Sequence, residues 1–397
     1  RMELQVVVLL LFCAYTCMGA ITSFNVDGRR INITIDNASP QVFKFRGWSY
    51  SNSRIGEGPP TDHQASSFDS LMRPAICKED FDRMRDLNGN GIKVYAFNTL
   101  NASAPSLHKE CLDIAWNNGV KPIFVVLSIW ITALPFPNED VRSTMADRYK
   151  RMVTETKEHP SVFGYSIGSE MSGDPNNNLP YWKDFNVIAE AIHDSLGSTN
   201  KLVTTGTYQT NNADPPIPVI GHIINGEKYG AKVDVWGVDI YSPNPDDITL
   251  RRNVFQHTKK PLFLPEYGQS YQPAFGNEKE LSQRLLAMIA AMEKYSYSKT
   301  SNGNQGSTFD PDAPIYSGGL IFEWNDEYWK GPLTGDDCEP NPASAQPYYG
   351  SNKVSLKPGC TCVPPEERKQ ACMLDDRNPR LILENDYLPT LWTEYEP

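Results

Sequence analysis

The sequence predicts an α/β fold, a (β/α)8 TIM barrel with a short Cys-containing C-terminal extension. Eight short apolar runs recur at intervals of a few tens of residues, and segments with helical periodicity separate most of them. The runs are mostly continuous rather than alternating, as in parallel strands that are covered on both faces. Strands that alternate with helices through a chain of 397 residues therefore indicate a closed barrel.

The runs give the order of the elements. We expect strands over residues 43–48, 92–97, 122–128, 162–167, 202–206, 235–241, 261–267 and 319–324. Between them, apolar residues recur every three or four positions in five segments. These predicted helices cover residues 78–86, 107–117, 141–158, 181–196 and 279–294. Asp140 is expected to cap one helix, and Asn277 with Glu280 resembles a capping box.

One stretch of the sequence weakens the barrel prediction, and one other fold is an alternative to it. Residues 211–219 are proline-rich and give no clear helix between the fifth and sixth strands. An open doubly wound sheet is the alternative fold, but it requires a glycine-rich turn after the first strand. The sequence Arg46-Gly47-Trp48, followed by serines, does not supply that turn.

The two ends of the chain differ from its middle. An apolar run from Leu4 to Ala20 closes on small residues and is typical of a secretory signal peptide. A membrane anchor is the alternative, although the run is short for a span. We expect a signal peptide over residues 1–20, the barrel over 21–335, and a Cys-rich extension packed on the barrel over 336–397.

Composition and charge exclude several classes of function. The chain is 40% hydrophobic and 11% aromatic, which supports a large core. Its net charge is −11, and its basic residues are evenly spread, which argues against nucleic-acid or anionic-membrane binding. Neither the six histidines nor the cysteines have metal-ligand spacing. We expect a secreted monomer without metal or cofactor and without membrane contact after signal cleavage.

Cysteines and sequons fit secretion. Six cysteines follow the signal, and an even number in a secreted chain indicates three disulfides. Cys77 and Cys111 are isolated from the others, so we expect them to pair. The other four are expected to pair among themselves: Cys338, Cys360, Cys362 and Cys372. Asn-x-Ser/Thr sequons occur at Asn32, Asn37 and Asn101.

Two carboxylates stand at the ends of predicted strands. Glu170 follows the fourth strand and Glu266 closes the seventh. In barrels of this kind the chemistry lies at the carboxyl ends of the strands, and strands four and seven lie on opposite walls. A pair of carboxyl groups about 5 Å apart supports retaining glycoside chemistry, with one as nucleophile and one as acid/base. The alternative is a pair of carboxylates held in structural salt bridges.

Aromatic residues at the strand ends are candidate sugar-stacking positions. Glu323 is a candidate for binding a sugar hydroxyl, with an ion-pair role as the alternative. Core packing is the alternative for the aromatic residues. They are Trp48, Tyr95, Trp130, Tyr241, Tyr267 and Trp324.

Two further motifs favour structural interpretations. Gly164-Tyr-Ser166-Ile-Gly168 fits G-x-S-x-G, but a nucleophile elbow needs a helix directly after the serine, and the sequence beyond Glu170 breaks helices. Asp86-Leu-Asn88-Gly-Asn90-Gly91 opens like a calcium loop, but its twelfth position is Phe97 rather than glutamate. A helix-to-strand turn is expected there.

Several stretches carry a resemblance to a known family. They are Ile76-Cys-Lys-Glu-Asp, Gly91-Ile-Lys-Val-Tyr-Ala-Phe-Asn, His108-Lys-Glu-Cys111-Leu, Pro265-Glu-Tyr-Gly268 and Tyr316-Ser-Gly-Gly-Leu-Ile-Phe-Glu-Trp. Together with Glu170 and Glu266, they resemble the clan A glycoside hydrolases. The closest resemblance is to the fungal β-1,3-glucanosyltransferases of glycoside hydrolase family 72, over about residues 40–330.

The resemblance implies a retaining enzyme that acts on β-1,3-glucan, with Glu266 as nucleophile and Glu170 as acid/base. It also implies that Cys77 pairs with Cys111, and that Tyr95 and Tyr241 lie near the catalytic carboxylates. Three positions depart from the family pattern: Ser169 and Asp239 each stand where the family usually has asparagine, and Lys93 stands where it usually has arginine.

Three hypotheses follow. The first is a secreted β-glucan hydrolase or transglycosylase, associated with a cell wall. The second keeps the mechanism but changes the sugar, as in a β-mannanase or β-galactosidase. The third is a non-catalytic glucan-binding wall protein. Ser169 favours the second and third. The resemblance implies an asparagine at this position that contacts the sugar 2-hydroxyl, and recognition of that hydroxyl differs between sugars.

Overall fold

A computed structural model describes most of the barrel region and a few residues beyond it. The described residues are 20–36, 38–52, 69–131, 134–169, 179–206, 219–240, 245–268, 278–299, 308–322, 324, 333–334, 339–340, 352–353, 380–381 and 392. Residues 1–19, with most of the predicted signal peptide, lie outside them.

Eight parallel strands form the predicted barrel. Ahead of them lies a three-stranded antiparallel sheet, β1 (Thr22–Asp27), β2 (Arg30–Ile35) and β3 (Gln41–Phe43). The barrel strands are β4 (Phe45–Tyr50), β5 (Gly91–Val94), β6 (Phe124–Ile129), β7 (Val162–Ile167), β8 (Leu202–Thr205), β9 (Trp236–Gly237), β10 (Leu262–Tyr267) and β11 (Tyr316–Ile321). They pair in the order β8-β7-β6-β5-β4-β11-β10-β9, and a bridge between Thr204 and Val235 brings the two edges together.

Helices cover the outside of these strands. They are α1 (Pro74–Asp86), α2 (Ala104–Trp116), α3 (Glu139–Thr156), α4 (Leu179–Leu196), α5 (Val219–Lys228), α6 (Ile248–His257) and α7 (Glu278–Lys294). Short 3-10 turns occupy Ser70–Met72 and Asn117–Gly119. Two-residue strands pair β12 (Leu333–Thr334) with β13 (Glu339–Pro340), and β14 (Asn352–Lys353) with β15 (Arg380–Leu381). No helix among the described residues has the length and hydropathy needed to span a bilayer.

The predicted barrel and its eight strands are confirmed, with shifts of a few residues at the strand ends. Five predicted helices correspond to α1–α4 and α7, whereas α5, α6 and the β1–β3 sheet were not predicted. The predicted cap at Asp140 is wrong. Because α3 begins at Glu139, Asp140 lies inside its first turn, and the Asn138 side chain accepts the hydrogen bond from the Val141 amide instead. Asn277 lies outside the described residues.

The core is divided between the two sides of the barrel wall. One cluster packs the strands against the helices, and includes Trp48, Phe81 and Trp182. The second fills the barrel at the amino ends of the strands, where Phe24 and Phe43 of the preceding sheet meet the strand residues. This inner cluster closes one end of the barrel, and so the opposite end is the one available for a site.

Candidate active site

Glu266 points into the barrel from the carboxyl end of β10, and its side chain is 3% exposed. Side chains alternate along a regular strand, and Phe263 belongs to the inner cluster whereas Leu264 packs outward. Regular alternation would therefore turn Glu266 outward. The pairing of β10 with β11 shifts register between Leu264 and Tyr267, and such an irregularity re-aims a side chain. It brings the carboxylate inside.

Three donors converge on one oxygen of Glu266. The Lys93 ammonium donates to Oε1 at 2.8 Å, the Tyr95 hydroxyl at 2.9 Å and the Ser169 hydroxyl at 2.9 Å. Lys93 lies on β5 and is fully buried. A buried cation and two hydroxyls around one carboxylate oxygen stabilise the ionised form. This is the state that a carboxylate nucleophile needs.

Lys93 also joins Glu266 to its neighbours. Its ammonium donates to Ser169 Oγ at 2.7 Å and stands 4.7 Å from the centre of the Tyr95 ring. Sequence analysis named Lys93 as a departure from the family and did not place it in the site. A lysine inside the apolar strand Gly91–Val94 was the available signal, because a buried charge needs a partner.

Gly206 lies close to the side chains of Lys93, Ser169 and Asp239. A Cβ at Gly206 would stand 3.2 Å from Lys93 Nζ, 3.2 Å from Ser169 Oγ and 3.3 Å from Asp239 Oδ2. With a side chain there, these groups would have to shift by a few tenths of an ångström, so the glycine that follows β8 lets the three groups lie close to one another. Asp239 is fully buried and lies beside Gly206, as Lys93 does. Asp239 and Gly206 were not among the predicted site residues.

The aromatic candidates separate into two groups. Tyr95 contacts Glu266, and the half-buried Trp130 lies beside it with ring centres 6.5 Å apart. Trp48 and Trp324 are instead fully buried and pack edge to face at 5.0 Å. Tyr267 is also buried. Full burial favours the core-packing interpretation of these three over sugar stacking.

Several predicted residues lie outside the described part of the chain. They are Glu170, Tyr241, Glu323, Asn37 and the four cysteines Cys338, Cys360, Cys362 and Cys372. The assignment of Glu170 as acid/base therefore stays a prediction. Of the other sequons, Asn101 is exposed and Asn32 is half-buried on β2. Among the described residues, no group of three or more His, Cys, Asp or Glu side chains has the geometry of a metal site.

The predicted disulfide and the predicted helix-to-strand turn agree with the structure. Cys77 and Cys111 form a disulfide that links α1 to α2. Helix α1 ends at Asp86 and β5 begins at Gly91, which is the expected helix-to-strand turn. Ser166 lies within β7, and its hydroxyl donates to the Gly168 carbonyl. That position differs from a nucleophile elbow, in which the serine stands on the turn itself.

Trp392 touches the outer face of the barrel. The Trp392 ring packs on Trp48 with centres 5.4 Å apart, and its carbonyl accepts a hydrogen bond of 2.8 Å from Asn88.

Comparisons with known proteins agree with the resemblance. A family model described as "Glucanosyltransferase", of glycoside hydrolase family 72, matches residues 15–302. A 1,3-beta-glucanosyltransferase of Arthroderma benhamiae is 23% identical over 296 residues, which cover 72% of this chain and 48% of that protein. The chain spans about half the length of the curated relatives that it matches.

Solved structures support the fold. Gas2p of Saccharomyces cerevisiae, in complex with laminaritriose and laminaritetraose, has a TM-score of 0.55 at 17% identity, covering 84% of this chain and 64% of that chain. A beta-glucuronidase of Bifidobacterium dentium, complexed with coumarin-3-O-glucuronide, has a TM-score of 0.55 at 16% identity, covering 84% and 46%. Likeness at these identities shows the barrel alone. The family model covers most of the chain, and on that basis this chain belongs to the glucanosyltransferases of glycoside hydrolase family 72.

Proposed function

We propose that the chain is a secreted, wall-associated β-1,3-glucanosyltransferase that works by double displacement. Glu266 is the nucleophile and Glu170 the acid/base. The observation that carries the proposal is the convergence of Lys93, Tyr95 and Ser169 on Glu266 Oε1. Family membership, the glucanosyltransferase relative and the laminari-oligosaccharide complex of Gas2p support β-1,3-glucan as the substrate.

The reaction follows from the two carboxyl groups. Glu266 attacks the anomeric carbon, and Glu170 protonates the leaving oxygen, so that one glycosidic bond breaks as a glycosyl ester forms. Glu170 then takes the proton of an incoming hydroxyl, which attacks the anomeric carbon and releases Glu266. A sugar hydroxyl as acceptor gives transfer, and water gives hydrolysis. Trp130 and Tyr95 are proposed to contact the sugar rings.

The experiment separates the three hypotheses by product length. Purified protein is incubated with reduced and unreduced laminari-, cello- and manno-oligosaccharides. Products longer than the laminari-donor support the proposal. Shorter products alone indicate a hydrolase, turnover of another series indicates another β-glycan, and binding without turnover indicates a glucan-binding protein.

Two variants test the assigned residues. Glu266→Gln and Glu170→Gln are each expected to lower activity by at least ~1,000-fold, with folding retained. Glu293→Gln is the matched control. Glu293 is ion-paired with Lys44 and Arg46, and its loss is expected to lower stability but not turnover. Wild-type rates in either site variant would refute the assignment.

A further inference from the structure

Ser169 has a hydroxyl whose hydrogen-bonding roles are fixed by its neighbours. A lysine ammonium can only donate hydrogen bonds, and an ionised carboxylate can only accept them. Ser169 Oγ lies 2.7 Å from Lys93 Nζ and 2.9 Å from Glu266 Oε1. The hydroxyl therefore accepts a hydrogen bond from Lys93 and uses its single proton to donate a hydrogen bond to Glu266.

The resemblance implies that the residue at position 169 contacts the 2-hydroxyl of the sugar. In retaining glycosidases, hydrogen bonds to the 2-hydroxyl strengthen in the transition state. Because its proton is already given to Glu266, Ser169 cannot donate to the oxygen of that hydroxyl, and one lone pair of Oγ is left to accept a hydrogen bond.

We infer that Ser169 is a positioning residue for the nucleophile and not a hydrogen-bond donor to the sugar 2-hydroxyl. Lys93 on β5 and Ser169 just after β7 hold the Glu266 carboxylate in the ionised state and in one orientation. The inference rests on the proposed function, because it takes Glu266 as the nucleophile. We therefore expect residue 169 to contribute little to discrimination at C2 of the donor sugar.

The test compares two donors in variants of residue 169. The donors are a 4-nitrophenyl β-laminarioside and the same compound with 2-deoxyglucose as the ring that is attacked. In Ser169→Ala, kcat/KM is expected to fall about 10- to 100-fold for both donors. The ratio of the two values is expected to stay at its wild-type level. The acid limb of the pH profile should move to higher pH, because the ionised carboxylate has lost a donor.

Two further variants complete the design. Ser169→Thr keeps a hydroxyl and is expected to recover most of the activity and the wild-type pH profile. Ser166→Ala removes a nearby hydroxyl on β7, which donates to the Gly168 carbonyl, and is expected to leave both rates unchanged. Thermal unfolding of each variant shows whether a lost rate reflects a lost fold.

The outcomes are distinct. A fall for the glucosyl donor alone, which collapses the ratio, would show that Ser169 binds the 2-hydroxyl and would overturn the inference. Unchanged rates in Ser169→Ala would overturn it as well. Failure of the wild-type protein to turn over either donor, or any laminari-oligosaccharide, would instead overturn the proposed function and with it this inference.

Discussion

The two ends of the barrel are built from opposite kinds of residue. At the amino ends of the strands, six phenylalanines and their aliphatic neighbours fill the interior: Phe24, Phe43, Phe45, Phe124, Phe163 and Phe263. At the carboxyl ends, buried charged and polar side chains gather around Glu266. Barrels of this kind keep stability at the first end and chemistry at the second.

The energetics of the two ends differ accordingly. Aromatic rings that meet edge to face, as Phe24 and Phe163 do at 4.7 Å, gain from burial and from ring geometry. A buried ion pair such as Lys93 with Glu266 loses much of its Coulomb gain to desolvation, so its net contribution to stability is small. We expect substitutions at the first end to change mainly the unfolding free energy, and substitutions at the second end to change mainly turnover.

Phe163→Ala tests the apolar end, where we expect the largest effect. Phe163 is fully buried and its ring contacts Phe24, Phe43 and Phe45 at 4.7 to 5.6 Å. Its truncation should lower the unfolding free energy by about 3–5 kcal/mol, since a cavity remains. Urea unfolding measures the loss. At a temperature where the variant is folded, kcat/KM should match wild type, and a changed kcat/KM would contradict the division between the two ends.

Lys93→Met tests the polar end. The variant loses the ammonium that donates to Glu266 and Ser169, so kcat/KM should fall about 100- to 1,000-fold. It also leaves a buried carboxylate without its cation, which costs stability. The double variant Lys93→Met/Glu266→Gln should therefore be more stable than Lys93→Met alone. Additive stability changes in this cycle would show that the two side chains do not interact in solution.

The sequence predicted the barrel because its signal is local. Strand β7 was predicted to the residue, since a continuous apolar run stands between Pro160 and Gly168. The β1–β3 sheet was missed although its signal was present. Ile31 and Ile33 are buried and alternate with the less buried Asn32 and Thr34, a period of two that is typical of a half-buried strand. Helices α5 and α6 have ten residues each, and proline-rich sequence precedes the first.

The site was predicted less completely because its contacts are not local. Glu266 could be selected from its place at the end of a strand. Its partner Lys93 lies 173 positions away, and no local pattern states which buried acid a buried lysine meets. The inward turn of Glu266 likewise depends on the register of β10 with β11. Such contacts can be predicted only when the closed barrel and the register of its strands are known.

His108 shows that a polar cluster can also serve stability. Its Nε2 lies 2.6 Å from Asp69 Oδ2, and its Nδ1 lies 2.6 Å from Glu155 Oε1. These contacts join α2 to α3 and to the segment that follows β4. Burial alone would lower the pKa of His108, but the hydrogen bonds to the two carboxylates outweigh it and raise the pKa to about 9.

The sign of the pH dependence follows from that shift. The folded state holds the His108 proton more tightly than the unfolded chain, whose histidine pKa is about 6.5. The stabilisation is complete below that value and is lost as the pH rises through about 9. The loss should be about 3 kcal/mol of unfolding free energy.

Lys201, near the amino ends of the strands, contributes the opposite slope. Burial lowers its pKa to about 7, so the folded state binds its proton less tightly than the unfolded chain does. Its contribution to stability therefore rises with pH above about 7. A stability curve of the wild type alone mixes the two slopes. The contribution of His108 has to be read from the difference between wild type and a variant.

His108→Gln supplies that difference. Urea unfolding of both proteins at pH 6, 7.5 and 9 should show a gap in unfolding free energy that is widest at pH 6 and narrows toward pH 9, because only the wild type loses a stabilising cation. His257→Gln is the control, since His257 is exposed and its loss should leave the wild-type curve unchanged. A gap that stays constant with pH would show that His108 acts through packing against Phe97, 3.9 Å away between ring centres, rather than through its charge.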